Sequence, residues 1–207
     1  MANPFDDALA FDEALDAVRR AIMAPEGPMP LGTVGVRGAT FPAFTTAPPD
    51  LPRFFAMFCT LYGERTGLVD GEQRLSFAQL LGLSRRVAHG LRAHHGVTPG
   101  DRVGIAARNS AAWVVAYMGI ALAGGVATLL NGFWTGAEME EAIIDTDCTL
   151  VLADRPRCAA LQAAGLADKH PVLCIESGET VETALAALRL PVEPMTRVPA
   201  VTAVVPV

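Results

Sequence analysis

The chain has 207 residues and a mass of 21.7 kDa; 51% of its residues are hydrophobic and 18% charged, and its mean hydropathy is +0.34. Against roughly 25% charged residues in an ordinary soluble domain, these values exclude a disordered chain or a large modular protein and predict a substantial buried core. A net charge of -6 and a pI near 5.2 exclude a nucleic-acid binder, which needs a basic stripe to replace counterions along phosphates, and the basic residues are fifteen Arg and one Lys, Lys169.

The expected organisation is an N-terminal helix and extended leader over residues 1–50, an α/β region over 51–190, and an extended tail over 191–207. The first nineteen residues hold four Asp and one Glu before the first Arg, opposite to the basic-then-apolar layout of a secretory signal. Arg19-Arg20 is followed by no sustained apolar run, so it is no export signal either. Asp6 to Met23 has apolar residues at Leu9, Phe11, Leu15, Val18 and Ile22, with acids early and arginines late, as a helix dipole favours. Pro25, Pro28 and Pro30 end that helix, and Leu31 to Phe44, punctuated by Gly32, Gly35 and Gly38, reads as a turn-rich hairpin rather than a dinucleotide fingerprint.

A second helix is predicted from Leu51 to Tyr62, and short strands near Leu68-Val69 and Arg74-Leu75 flank a turn at Asp70-Gly71. Ser76 with Gln79 forms a capping box for a helix running to His95, whose one face holds Phe77, Leu80, Leu81, Ser84, Val87, Ala88 and Leu91. There follow a strand Arg102–Ala106, a helix Ala111–Ala123, a strand Val126–Leu130 and a helix opened by a Thr135/Glu138 capping box. A strand Thr149–Ala153, a helix Pro156–Ala164, a strand Val172–Ile175 and a helix Glu179–Leu190 with Ser177 as its cap complete the pattern. Strand–helix alternation with apolar strands predicts the fold class: α/β, a partial doubly wound, mainly parallel sheet with helices on both faces. The tail, with four Pro in seventeen residues, shows no periodicity.

Asn109 to Ala137 contains no Asp, Glu, Lys or Arg and is long enough to span a bilayer. Gly124-Gly125 divides it into a helix, a turn and a β-favouring VATLL, so a buried helix and strand are expected and no membrane span. His94 and His95 close a helix where cations favour the dipole, and His89, five residues earlier, is placed on another face, so no metal site is expected. Glu138, Glu140, Glu141, Asp145 and Asp147 read as the solvated side of an amphipathic helix. Cys59, Cys148, Cys158 and Cys174 show no C-x-x-C pair and are expected as buried free thiols in a reducing cytoplasm. There is no G-x-x-x-x-G-K-[ST], and Ser177-Gly178-Glu179-Thr180 reads as a strand-to-helix turn whose Glu179 repels phosphate.

The blocks Ser76-Phe77-Ala78-Gln79-Leu80, Val97 to Val103 (VTPGDRV), Arg108-Asn109-Ser110, Ala123-Gly124 and Leu130 to Glu138 (LNGFWTGAE) follow one another in a fixed order. In that order they resemble the N-terminal subdomain of AMP-forming acyl-CoA synthetases, and the leader (FDEAL at 11–15, TAPPDL at 46–51) is similar to the fatty-acid–CoA ligase branch. The resemblance covers most of residues 5–160. It implies a cytoplasmic ligase that joins a carboxylic acid to coenzyme A through an acyl-adenylate, with ATP, Mg and coenzyme A serving the complete enzyme.

The family's Ser/Thr/Gly-rich phosphate loop ending in Pro-Lys-Gly, its Tyr-Gly-x-Thr-Glu block, its ribose-binding Asp and its C-terminal lysine match nothing here, and Lys169 corresponds to none of them. The expectation is therefore a chain truncated before the phosphate loop, with no catalytic, cofactor or metal residue of its own. It would be inactive alone and would await a second polypeptide carrying the rest of the enzyme, or form a homodimer through an open sheet edge. The alternative is a non-catalytic binding or interaction module that retains the fold. Asn131, Phe133 and Trp134, an amide and two aromatics in a loop after a strand, are the candidates for contact with the missing half or the acyl site.

Overall fold

The computed structural model describes residues 4–166, 169–175 and 180–191, with side chains from Ala10 onward. The tail beyond 191 and Ser177 lie outside the described residues. The chain divides into two compact units at Pro49/Asp50.

The first unit holds helix α1 (Pro4–Met23) and an antiparallel hairpin of β1 (Leu31–Val36) and β2 (Ala39–Phe44), with Leu31 opposite Phe44 and Val36 opposite Ala39. Arg37 and Gly38 form its two-residue turn with φ of 48° and 79°. Positive φ at both central positions matches the twist of the flanking strands.

The second unit begins with α2 (Leu51–Tyr62), whose N-terminus is capped by Asp50 accepting from the Arg53 N–H at 2.8 Å. A hairpin of β3 (Thr66–Asp70) and β4 (Gln73–Ser76) leads into α3 (Phe77–His95). The Ser76/Gln79 capping box opens α3, and Gly96 in the left-handed region (φ 68°) closes it. Then come β5 (Arg102–Ala106), α4 (Ala111–Ala123), β6 (Val126–Leu129), α5 (Gly136–Asp145), β7 (Cys148–Asp154), α6 (Arg155–Ala163), β8 (Val172–Ile175), α7 (Val181–Ala184) and a 3-10 turn (Ala186–Leu188).

The four later strands form one parallel sheet in the order β6-β5-β7-β8. Their alternate residues serve two cores. Val103, Ile105, Leu150, Leu152 and Ile175 face the cluster built with α3, α4 and α7, whereas Ala106, Cys148, Val151 and Ala153 face the one built with α5 and α6. Burial on both faces is why these strands read as continuous apolar runs. Helix α4 has 13 residues and spans about 20 Å, short of the roughly 30 Å hydrocarbon core. Gly124 caps it with φ 87°, and no helix among the described residues is long and apolar enough to cross a membrane.

Three expectations are corrected. Cys158 of α6 and Cys174 of β8 are disulfide-bonded, with a Cα–Cα distance of 6.1 Å, while Cys59 and Cys148 are buried free thiols. Sequence spacing could not show this, because the pair meets only once α6 has packed back across β7 and β8. The helix expected over Glu179–Leu190 is two short pieces capped by Thr180. Tightening into a 3-10 turn eclipses residues three apart and buries Leu185 and Leu188 together. His89 and His94, though five residues apart, do not point clear of each other, since their rings stand edge-to-face at 6.1 Å. No group of three or more metal-ligating side chains occurs among the described residues.

Helices α3 and α4 approach closely in the core at Gly119. A Cβ on Gly119 would stand 2.3 Å from Val87 Cγ1 and 2.6 Å from Val87 Cβ, both fully buried. Gly119→Ala is therefore expected to destabilise by about 1–3 kcal/mol through overpacking, despite its gain in helix propensity. Gly82→Ala, with nothing within 4 Å of the added carbon, should instead stabilise by about 0.5–1 kcal/mol. Urea denaturation of the two variants checks the contrast, and equal shifts would contradict the packing.

Candidate functional site

The strand order creates a crevice at the carboxyl ends of β5 and β7. After β5 the chain turns to α4 on one face; after β7 it turns to α6 on the other. At such a switch point the two connections diverge and leave a gap, the place where open α/β sheets bind ligands. Here the gap is a cavity of about 370 Å³ lined by Asp70, Arg108, Ser110, Asp154, Ile175 and Thr180, among others.

Asp154 is the hub. As N-cap of α6 it accepts from the Arg157 N–H at 3.3 Å, from the Arg157 guanidinium at 3.0 Å, and from the Arg108 N–H at 3.0 Å across the gap. Arg157 also donates from Nε to the Gly132 carbonyl at 2.8 Å and from a second guanidinium nitrogen to the same oxygen. One carboxylate and one guanidinium thus tie together the loops after β5, β6 and β7.

The N-terminus of α4 points into this region, and a helix end with open N–H groups is a ready anion site. This one is closed. Asp70, at the tip of the β3–β4 hairpin, accepts from the Ala111 N–H at 2.8 Å, and Ser110 Oγ accepts from the Trp113 N–H at 3.1 Å. A phosphate placed on the Ala111 N–H would meet the Asp70 carboxylate.

The loop after β6 carries Asn131, Phe133 and Trp134. Asn131 Oδ1 accepts from the Phe133 N–H at 3.0 Å, an Asx turn, and Phe133 turns outward, where it is 95% exposed. Trp134 instead packs on the core beneath α5 and α6. The three residues therefore share a loop but not a surface. Thr135 follows as N-cap of α5; its N–H and hydroxyl donate to the Glu138 carboxylate at 2.7 and 2.9 Å, which holds that carboxyl below the usual range. Glu138, Glu141, Asp145 and Asp147 are exposed, as a solvated face requires, and Glu140 pairs with Lys169 at 3.0 Å. Lys169 precedes β8, at the opposite end of the sheet from the crevice.

Arg108, Ser110, Asp154 and Arg157 were not singled out from sequence as site residues. The signal that finds them is strand order, since any of the strand ends could flank a switch point until the order is known.

A sequence model of the family described as "AMP-binding enzyme" matches residues 55–202. The chain belongs to this family. Among curated relatives, it is 35% identical over 121 residues to a 3-[(3aS,4S,7aS)-7a-methyl-1,5-dioxo-octahydro-1H-inden-4-yl]propanoyl:CoA ligase of Rhodococcus jostii, covering 58% of this chain and 21% of that protein. It is 30% identical over 129 residues to the medium/long-chain-fatty-acid–CoA ligase FadD6 of Mycobacterium tuberculosis, covering 61% and 21%. It is also 33% identical over 108 residues to syringomycin synthase SyrB1 of Pseudomonas syringae pv. syringae, covering 51% and 17%. The N-terminal domain of FACL13 from Mycobacterium tuberculosis shares the fold, with a TM-score of 0.61, 20% identity and coverage of 72% of this chain and 38% of that one. This family member thus spans about a fifth of the length of the curated relatives it matches.

Proposed function

We propose that this chain supplies the N-terminal scaffold of an AMP-forming acyl-CoA synthetase of the fatty-acid–CoA ligase type, and that the 207-residue polypeptide alone does not adenylate acids. Several relatives are CoA ligases by name, and the complete enzyme of that type uses ATP, Mg and coenzyme A. The observation that supports the reading is the occupied helix end, because the Asp70 carboxylate already accepts from the Ala111 N–H at the start of α4. Losing one well-placed donor typically costs about 10²–10³ in rate, and here the sequence carries no phosphate-loop motif at all. The purified chain should show no acid-dependent ATP/pyrophosphate exchange with fatty acids; robust exchange would overturn the proposal.

Activity then requires the family's Pro-Lys-Gly loop, which in the assay a second polypeptide supplies. The edge strand β6 is its natural dock, since Val126 and Leu129 are exposed and no strand among the described residues pairs with its outer side. Asn131 and Phe133 lie beside that edge and would face the incoming half or its acyl site. Mixing the chain with such a polypeptide should restore exchange. A binding module retaining the fold is the second reading, favoured by the same occupied helix end, and it predicts association with such a polypeptide without exchange.

A further inference from the structure

Helix α1 carries an apolar stripe that the described residues of its own unit leave uncovered: Phe11, Leu15, Val18 and Ile22 are 63%, 51%, 56% and 37% exposed. A soluble helix with such a stripe normally buries it. The loop that leads to the hairpin of its own unit meets the end of the helix, where the Met29 N–H donates to the Ile22 carbonyl at 3.0 Å. The stripe steps by four, three and four residues, the alternation of the a and d positions of a two-helix seam. On that register Asp12 and Arg19 flank the stripe on one side, and Ala14 and Ala21 on the other, where small side chains allow close approach.

Charge selects the occupant and its direction. Asp6, Asp7, Asp12, Glu13 and Asp16 fill the first part of the helix, and Arg19 and Arg20 its last turn. Two parallel copies would set acids against acids. Two antiparallel copies stack Phe11 on Ile22 and Leu15 on Val18, and bring Asp12 of each copy beside Arg19 of the other. The intrahelical Arg19–Asp16 pair, at 2.9 Å with both side chains more than half exposed, is worth little and does not hold Arg19 back. We propose that α1 is a self-association helix, pairing antiparallel with α1 of a second copy through Phe11, Leu15, Val18 and Ile22 and two reciprocal Asp12–Arg19 contacts.

This surface is independent of the sheet edge and of catalysis, so the exchange assay above does not bear on it. Sedimentation equilibrium of the 207-residue chain should show a monomer–dimer equilibrium below about 100 µM, a range that reveals even an interface with Kd near 10⁻⁵ M. Leu15→Glu and Val18→Glu should each weaken it at least about tenfold; both side chains point away from the rest of their own unit, so the far-UV spectrum should be unchanged. Asp12→Arg and Arg19→Asp should each weaken association, and the double swap should restore it. A monomer throughout, a dimer indifferent to Leu15→Glu but lost in Leu129→Arg, or single swaps that the double variant fails to rescue would each overturn the proposal.

Discussion

Asp154→Ala is expected to lower the free energy of unfolding by about 2–4 kcal/mol. The side chain caps α6, a role worth typically about 1 kcal/mol, and its hydrogen bonds are charge-assisted, each worth about 1.5–3 kcal/mol when lost. Solvent does not discount the pair heavily, because the Arg157 and Asp154 side chains are only 14% and 19% exposed. Removal also leaves the Arg108 N–H and part of the Arg157 guanidinium without their acceptor. Asp154→Asn keeps a capping oxygen but not the charge, and should fall between the two. Urea titration measures the ordering, and a loss below about 0.5 kcal/mol for the alanine variant would mean that the three loops are not held through this carboxylate.

Reduction of the Cys158–Cys174 bond is expected to cost about 3 kcal/mol. The bridge closes a loop across 16 residues of sequence, and constraining a loop of about 15 residues in the unfolded chain is worth about 3 kcal/mol on the chain-entropy account. It joins α6 to β8, the last strand of the sheet, so the outer strand should loosen first when the bond is cut. Denatured but unreduced chain should present two reactive thiols, Cys59 and Cys148, and four after reduction. Dithiothreitol should lower the thermal midpoint of the wild type but leave the Cys158→Ser/Cys174→Ser variant unmoved. Four thiols before reduction would show that the bridge is absent.

The elements of the sheet were legible because each had a local cause. Ser76/Gln79 and Thr135/Glu138 announce their helices by capping chemistry, and both boxes are formed. Gly124 ends α4 where the apolar run alone would have continued. Strand order, by contrast, has no local signature, and with it went the crevice between β5 and β7 and the hub at Asp154. The disulfide was hidden for the same reason. Asn131, Phe133 and Trp134 were found as a composition, an amide and two rings in a loop, but composition does not say which ring turns outward. Packing decides that: Trp134 rests on the core and Phe133 turns to solvent.

The single bond from the Ala111 amide to Asp70 joins two pieces that are far apart in sequence, the tip of a hairpin and the first turn of a helix. Unseating the hairpin and uncovering that helix end are consequently one event. The solvent-exchange rate of one amide proton therefore registers whether this lobe is latched, and any anion captured there must first evict a carboxylate of the protein's own.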